Sequence, residues 1–542
     1  MGFLGILEPA TDERVPGTTV LDDQAAHTEG STGNLKHAAG KSGNIILIPQ
    51  PSNDPNDPLN WTLTKKLTVM LIVGVGSCIY GATIPPLLNA GTVVIALELG
   101  VTISAIIQAS GYQLLVVAGS ATVVNAIARK YGKRPVFLAS CIFGLVGSAI
   151  GSASTNYSQL LAARIIQGFS CTAYESLLLA IVGDLFFLHE RGLYSALANF
   201  ILGAVSNFSS VICGPITTEL GWKWLFHLLL IFGSMVFVLH FLFVPETQFN
   251  RDRAYELDET GIPAANLNEK MDDVRVEDVG SNSGSSIRPK TYAENLKIFN
   301  GTFSNESFFM LCFGPFATCL NVAVLWVVIL SGYYLSLYVT VAYLLAQIFS
   351  PPPYLLTPSG VGYLSLGPFV GGLVAACVGA ALNDRLVRWC AKRNKGVYEP
   401  EYRLLIAHLG LIGIAGFIGW GFAAQNGESP YLAAFCHGTG LFGLMFVFIA
   451  STNYALDAYR EMSNEIFLAS MAFKNLIIFA YAYFINDWAA RKGPAEVLWV
   501  LSTVGAGLMA TTPILFFFGK RYRLHWHKNN LVRKLGVLTH EE

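Results

Sequence analysis

The chain has 542 residues, 53% of them hydrophobic and only 13% charged, with a mean hydropathy of +0.49. Soluble domains carry about a quarter charged residues, so the composition excludes a soluble protein of this length and indicates a polytopic membrane protein. Lys plus Arg total 35 against 36 Asp plus Glu. A net charge of -1 leaves no basic face for nucleic acid.

In chain order, residues 1–64 read as a polar cytoplasmic tail, rich in Gly, Pro, Asp and Asn and largely disordered. No apolar stretch follows Met1, so no signal peptide is expected, and Ile6 spoils a myristoylation motif at Gly2. Twelve apolar stretches follow, each of about 20 residues, the length that crosses a ~30 Å hydrocarbon core. They fall near 67–88, 103–126, 135–153, 159–182, 193–215, 225–245, 315–346, 360–382, 404–424, 431–455, 464–486 and 497–518. The seventh is long enough to tilt or to include an interfacial turn. A polar stretch at 247–306, with Ser281–Ser286 inside it, separates the spans into two groups of six. The expected fold is all-α: twelve transmembrane helices in two six-helix bundles, 65–246 and 307–519, with a tail at 520–542.

Twelve spans place both termini on one side. Thirty of the 35 basic residues fall in the tails and the loops of that side, and only Lys223, Arg491 and Lys492 on the other. The positive-inside rule then makes both termini cytoplasmic, and the plasma membrane is the expected location. Eight of nine cysteines lie in spans and no CxxC occurs, so neither a disulfide framework nor a zinc site is expected. No metal cluster, nucleophile constellation or P-loop stands out. An enzyme is therefore not expected, no cofactor is expected, and uphill movement would draw on a proton gradient. The sequons at Asn156, Asn207, Asn300 and Asn305 fall in a short outer loop, in a span or on the cytoplasmic side, so no glycan is expected.

The loop after span 2 contains Arg129-Lys130-Tyr131-Gly132-Lys133-Arg134, and the loop after span 8 contains Asn383-Asp384-Arg385. They occupy the same place in each half, as duplicated halves would have them. Span 4 carries Arg164-Ile-Ile-Gln167-Gly168 and span 5 ends Gly214-Pro215. Asn56–Trp61, Asp184–Gly192, Pro245-Glu246-Thr247, Glu399–Arg403 and Gly519-Lys520-Arg521 complete the set. Together these motifs resemble the major facilitator superfamily over residues 45–525. They are similar to fungal twelve-span drug:proton antiporters, in the branch that includes yeast cation and polyamine transporters. The resemblance implies conformational roles for Gly132, Lys133, Arg134, Asp384, Arg385, Gly214 and Pro215, and a coupling role for Arg164. Arg129 stands where the family has Asp, so the N-terminal copy lacks the acid that usually meets the helix end. Thr217-Thr218 replace the final glycines of the antiporter pattern.

Charge inside a span is costly and is usually kept for a pathway. Arg164 and Glu175 are 11 residues apart on span 4 and share a face with Gln167, Gly168 and Cys171. At 1.5 Å per residue they are ~16 Å apart and cannot bond to each other. Glu175 is the first candidate for a proton or cation site; a fixed structural carboxylate is the bland alternative. Lys474, near the middle of span 11, needs a partner such as Asp457 or another carboxylate across the cavity. Asp457, with Tyr454 and Arg460, reads as a cytoplasmic gate network or a helix cap. His437 reads as a proton relay or a buried hydrogen-bonded histidine. Pro85-Pro86 should bend span 1 at the cavity, and Tyr80, Gln108, Tyr112, Gln113, Asn321, Trp326 and Tyr333 are candidates to line it. The expected function is secondary active, proton-coupled transport of a small organic, cationic solute by a monomer in lipid. Export of a toxin or secondary metabolite is one alternative; a transporter-like sensor is another.

Overall fold

The computed structural model describes residues 3–9, 15–20, 51–52, 54–187, 194, 197–198, 200–249, 288–304, 306–394, 396–459 and 462–534. The tail at 21–50, the linker with Ser281–Ser286, the His189–Gly192 motif and Arg460 lie outside them.

The N-terminal half contains α1 (Leu63–Gly76), α2 (Ile103–Tyr131), α3 (Lys133–Ala153), α4 (Tyr157–Ser176), α5 (Ser206–Glu219) and α6 (Lys223–Phe243). The C-terminal half contains α7 (Val322–Phe349), α8 (Leu366–Arg393), α9 (Gly410–Gln425), α10 (Pro430–Ala458), α11 (Ser463–Lys492), α12 (Pro494–Met509) and α13 (Thr512–Lys528). Eleven helices among the described residues are long and apolar enough to cross a membrane. The fifth expected span is not among these eleven, and its beginning lies partly outside the described residues. Its visible part is a π turn at Ile201–Val205 followed by α5.

Polar caps start several spans. Thr62, Thr102, Asn156 and Ser429 each accept a backbone N–H of the first turn, which satisfies a donor that a helix leaves open. The seventh span does contain a break: Phe308–Thr318 stops and α7 restarts after Asn321. The Asn321 carboxamide accepts from Ala323 and Val324 N–H at 3.0 and 3.3 Å. Asn321 is therefore a buried cap at the mouth of α7 and not a cavity-lining group.

Each half has its own core. One hydrophobic cluster joins residues between Val69 and Val244, another joins residues between Leu330 and Met509. Large side chains such as Leu71, Leu97, Phe309 and Phe435 are more than two-thirds exposed, the pattern of helices that face lipid. Two small clusters bridge the halves: Ile107 and Leu114 with Tyr343, Ile478 and Ala482, and Val117 and Cys171 with Met471. Leu7 N–H donates to Phe517 C=O, so the first and last described segments share one side, the terminal side. There Thr19–Val20 pairs antiparallel with Val397–Tyr398.

Candidate functional site

Between the halves lies a cavity of about 180 Å³. Pro85, Pro86 and Asn89 beyond α1, Glu175 on α4, Asn207 on α5, Tyr338 and Tyr343 on α7, His437 on α10, and Lys474 and Asn475 on α11 form its polar and aromatic wall. The space exists partly because α1 does not run through. It widens into a π turn at Ser77–Thr83 and breaks at Pro85-Pro86, which have no N–H to donate.

Arg164 holds that break together. Its guanidinium is fully buried and donates to Ile84 C=O at 2.9 Å and Pro85 C=O at 3.1 Å. It also donates to Gln167 Oε1 at 3.1 Å and Ser110 Oγ at 3.4 Å, and Gln167 donates on to Ser148. The expected polar stripe of α4 thus divides. Arg164 and Gln167 brace α1, α2 and α3, while Glu175 alone of the five reaches the cavity wall.

Glu175 accepts from Lys474 Nζ at 2.5 Å. The two come from opposite halves, so the lysine's partner is the carboxylate across the cavity and not Asp457. The side chains are 14% and 18% exposed, enough for water to reach the pair. Cys171 Sγ lies 3.9 Å from the second Glu175 oxygen. Both ring nitrogens of His437, both side-chain polar atoms of Asn475 and the Tyr343 hydroxyl are buried without a hydrogen-bond partner. Such groups are rare in a folded core, and a ligand in the cavity can satisfy them. Tyr338, stacked on His437 at 5.3 Å, and Tyr343 carry no sequence signal, because α7 is aromatic on every face.

Other expected wall residues sit elsewhere. Tyr80 is fully buried in the N-terminal core, stacked on Tyr174 at 5.2 Å. Gln108 is half-buried on α2 and Gln113 fully buried there. Trp326 donates to Thr511 Oγ1 at 2.7 Å and Tyr333 to Leu501 C=O at 2.7 Å, both within the C-terminal half. Tyr112 accepts from Tyr483 OH at 2.5 Å and so joins α2 to α11 on the side opposite the termini. On that same side Gly214 lets α5 approach the Pro358 carbonyl and Gly362, with Pro215 inside the helix beyond it. Thr218 Oγ1, at a position where the antiporter pattern has glycine, accepts from Ser359 N–H at 3.0 Å and lies 2.8 Å from Ser359 Oγ.

On the terminal side Gly132 turns the chain at φ +100° between α2 and α3. Glu246 accepts from Lys133 N–H at 2.9 Å and Arg134 N–H at 3.1 Å, so an acid does meet the helix end, supplied from beyond α6. Burial pushes its carboxyl above the ordinary range, and the backbone donors pull the other way. Lys133 pairs with Asp184, and Arg134 donates to the carbonyls of Val244, Phe241 and Leu296. Arg129 bridges the halves, 3.3 Å from Glu465 and 3.4 Å from Glu306. Asp384 and Arg385 are exposed along the unbroken α8. Asp457 bonds to Arg403 and Tyr398, an arrangement that ties the end of α10 to the segment before α9.

Comparison with known proteins agrees with this architecture. The family model of the Major Facilitator Superfamily matches residues 67–482. An uncharacterized MFS-type transporter of Schizosaccharomyces pombe is 25% identical, over 94% of this chain and 93% of that protein. Protein HOL1 of Saccharomyces cerevisiae is 22% identical over 92% and 94%. The MFS-type efflux pump MFS2 of Trichophyton rubrum is 24% identical over 94% and 81%. Among solved structures, the human organic anion transporter MFSD10 (TETRAN) superposes with a TM-score of 0.52, covering 82% of this chain and 99% of that one, at 15% identity. The chain therefore belongs to the Major Facilitator Superfamily, as an integral membrane protein of fungal type that carries out secondary transport of small solutes.

Proposed function

We propose that this transporter moves a small organic cation in exchange for protons, and that the Glu175–Lys474 pair is where the two compete. The observation that carries this reading is the 2.5 Å contact between a carboxylate of one half and an ammonium of the other on the wall of the cavity. A proton on Glu175 removes the charge that holds Lys474. A cationic solute displaces the ammonium directly. Either event loosens a link between the halves, and a ligand shifts a conformational equilibrium only through such a difference between states. Removing one partner of a buried pair leaves the other charge uncompensated, so Lys474 also resets Glu175 when the site empties. The protein works as a lipid-embedded monomer with both termini cytoplasmic, in the plasma membrane. The efflux named for the Trichophyton rubrum relative supports export as the direction.

The test is flux of labelled tetraphenylphosphonium and labelled spermidine in proteoliposomes, with and without an imposed proton gradient. The gradient should drive accumulation of at least one of them in the wild type. Glu175→Gln should abolish the gradient dependence. Gradient-driven flux retained in Glu175→Gln would remove Glu175 from the mechanism, and gradient-insensitive wild-type flux would remove the coupling.

A further inference from the structure

The segment before α1 is not only a tail. Residues 3–9 and 15–20 lie on the terminal side of the C-terminal half. Ile6 is 2% exposed within a cluster that includes Tyr398, Tyr402, Tyr454 and Phe516. Leu7 N–H donates to Phe517 C=O at 3.0 Å, and Arg521 Nε to Glu8 C=O at 2.9 Å. Further on, the Pro16 carbonyl accepts from Arg523, and Thr18 Oγ1 donates to Glu399 Oε2 at 2.8 Å.

These contacts complete a buried charge cluster. Arg523, 2% exposed, donates to Glu401 at 2.9 and 2.8 Å and to Glu399 at 2.8 Å, and Lys520 lies 2.7 Å from Glu399. The Pro16 carbonyl accepts from Nη1, the other arm of the guanidinium. A buried cationic donor left without an acceptor is expensive, so the docked segment is part of the cluster's stability.

We infer that this segment is a releasable strap that favours the arrangement in which the terminal-side ends of the two halves are joined. The physical link runs through four contacts. Thr19 pairs with Tyr398 along the backbone. The Tyr398 hydroxyl bonds Asp457, whose carbonyl lies against Gly17. Asp457 is near the end of α10, eight residues before Glu465 on α11. Glu465 is 3.3 Å from Arg129 of the other half. Docking of the strap therefore fixes the end of α10, from which the chain leads on to Glu465 and its contact with Arg129, and release frees that end. The inference rests on alternating access in this family and is independent of the roles given to Glu175 and Lys474.

Two variants test it in the 542-residue chain, by exchange in nanodiscs and by flux in proteoliposomes: deletion of residues 3–20, and Gly17→Val. Gly17 has φ +81°, and a Cβ there would lie 2.8 Å from the Asp457 carbonyl, so valine cannot sit in the docked strap. Loss of amide protection at Tyr398, which pairs with Thr19, reports release. Hydrogen–deuterium exchange should then rise at 458–465 and at 125–131, and flux of whichever labelled cation the wild type carries should rise about threefold or more, the scale of a coupling between distant sites. In an Arg129→Ala background Gly17→Val should add nothing to the exchange at 125–131. Increased exchange confined to 397–401 and α13 would overturn the inference and leave the segment a packing element. A fall in flux on release, or a chain that folds only with the strap docked, would overturn it equally. The exchange at 125–131 needs no flux measurement, so a failure of the proton-coupling reading is distinguishable from a failure of this one.

Discussion

In the N-terminal half the turn between α2 and α3 is tied to the ends of the fourth and sixth spans. Gly132 packs against Glu246, Lys133 pairs with Asp184, and Arg134 is buried among carbonyls at the end of α6 and beyond. In the C-terminal half the corresponding stretch is a continuous helix, and the side chains of Asp384 and Arg385 are exposed. The copy that has lost the family's Asp is the one built into a network, while the copy that keeps Asp-Arg makes no ion pair among the described residues. Retaining a motif's letters is thus a poor guide to whether its contacts are made. What decides is whether another segment supplies the partner. Here Pro245-Glu246-Thr247 does so for the N-terminal half.

The C-terminal half places its buried charges elsewhere, at Glu399, Glu401, Lys520 and Arg523. Both clusters fix the terminal-side ends of helices. One does so at the second and third spans of its half, the other at the third and last. Arg129 and Glu465 then join the two halves between these clusters.

The largest effect should come from Gly132→Val. A side chain at φ +100° is strained by about 1–3 kcal/mol, and its Cβ would lie 2.2 Å from Glu246 Oε2, so Glu246 must leave as well. Purified protein should melt many degrees lower or fail to elute as a monodisperse peak. Unchanged melting would show that the tight turn is not what holds α2 to α3.

Glu246→Gln should have the next largest effect. The N–H groups of Lys133 and Arg134 donate to different oxygens of Glu246 and Gln offers only one, so its amide nitrogen is left facing a backbone donor, for a loss of about 1–2 kcal/mol. The pH dependence has a definite sign. Because the folded carboxyl titrates above its ordinary value of 4.5, the folded state holds this proton more tightly than the unfolded chain. Its contribution to stability is therefore present at low pH and is lost as pH rises through the folded value. Melting temperature followed from pH 4 upward should show that fall in the wild type, and the slope should flatten in Glu246→Gln.

The membrane spans were legible because charge is excluded from them, a signal that needs no knowledge of contacts. Glu175, Lys474 and Arg164 were legible for the same reason, as charges where charge is costly. Their partners were not. Glu175 and Lys474 are 299 residues apart, and no periodicity relates positions in different halves. Arg164 bonds backbone carbonyls next to Pro85-Pro86; the prolines mark the freed acceptors, yet nothing in the sequence says which donor reaches them. The apolar stretch around Asn321 reads as unbroken, which puts Asn321 on the cavity wall, although an Asn opening a helix is a common cap. The Glu246 contact, 113 residues from Lys133, left no local trace at all.

The smallest expected effect is at the C-terminal copy. Asp384→Asn and Arg385→Gln alter exposed side chains, and surface changes of this kind stay within about 0.5 kcal/mol. Melting should therefore be unchanged in both and in the double variant. Flux is the more informative readout. If it is also unchanged, the two copies differ in kind, and only the N-terminal one takes part in the cycle. A marked loss of flux at constant melting temperature would mean that Asp384 and Arg385 find partners in another arrangement of the halves. The contrast would then be between states of the transporter, with each copy engaged when the other is free.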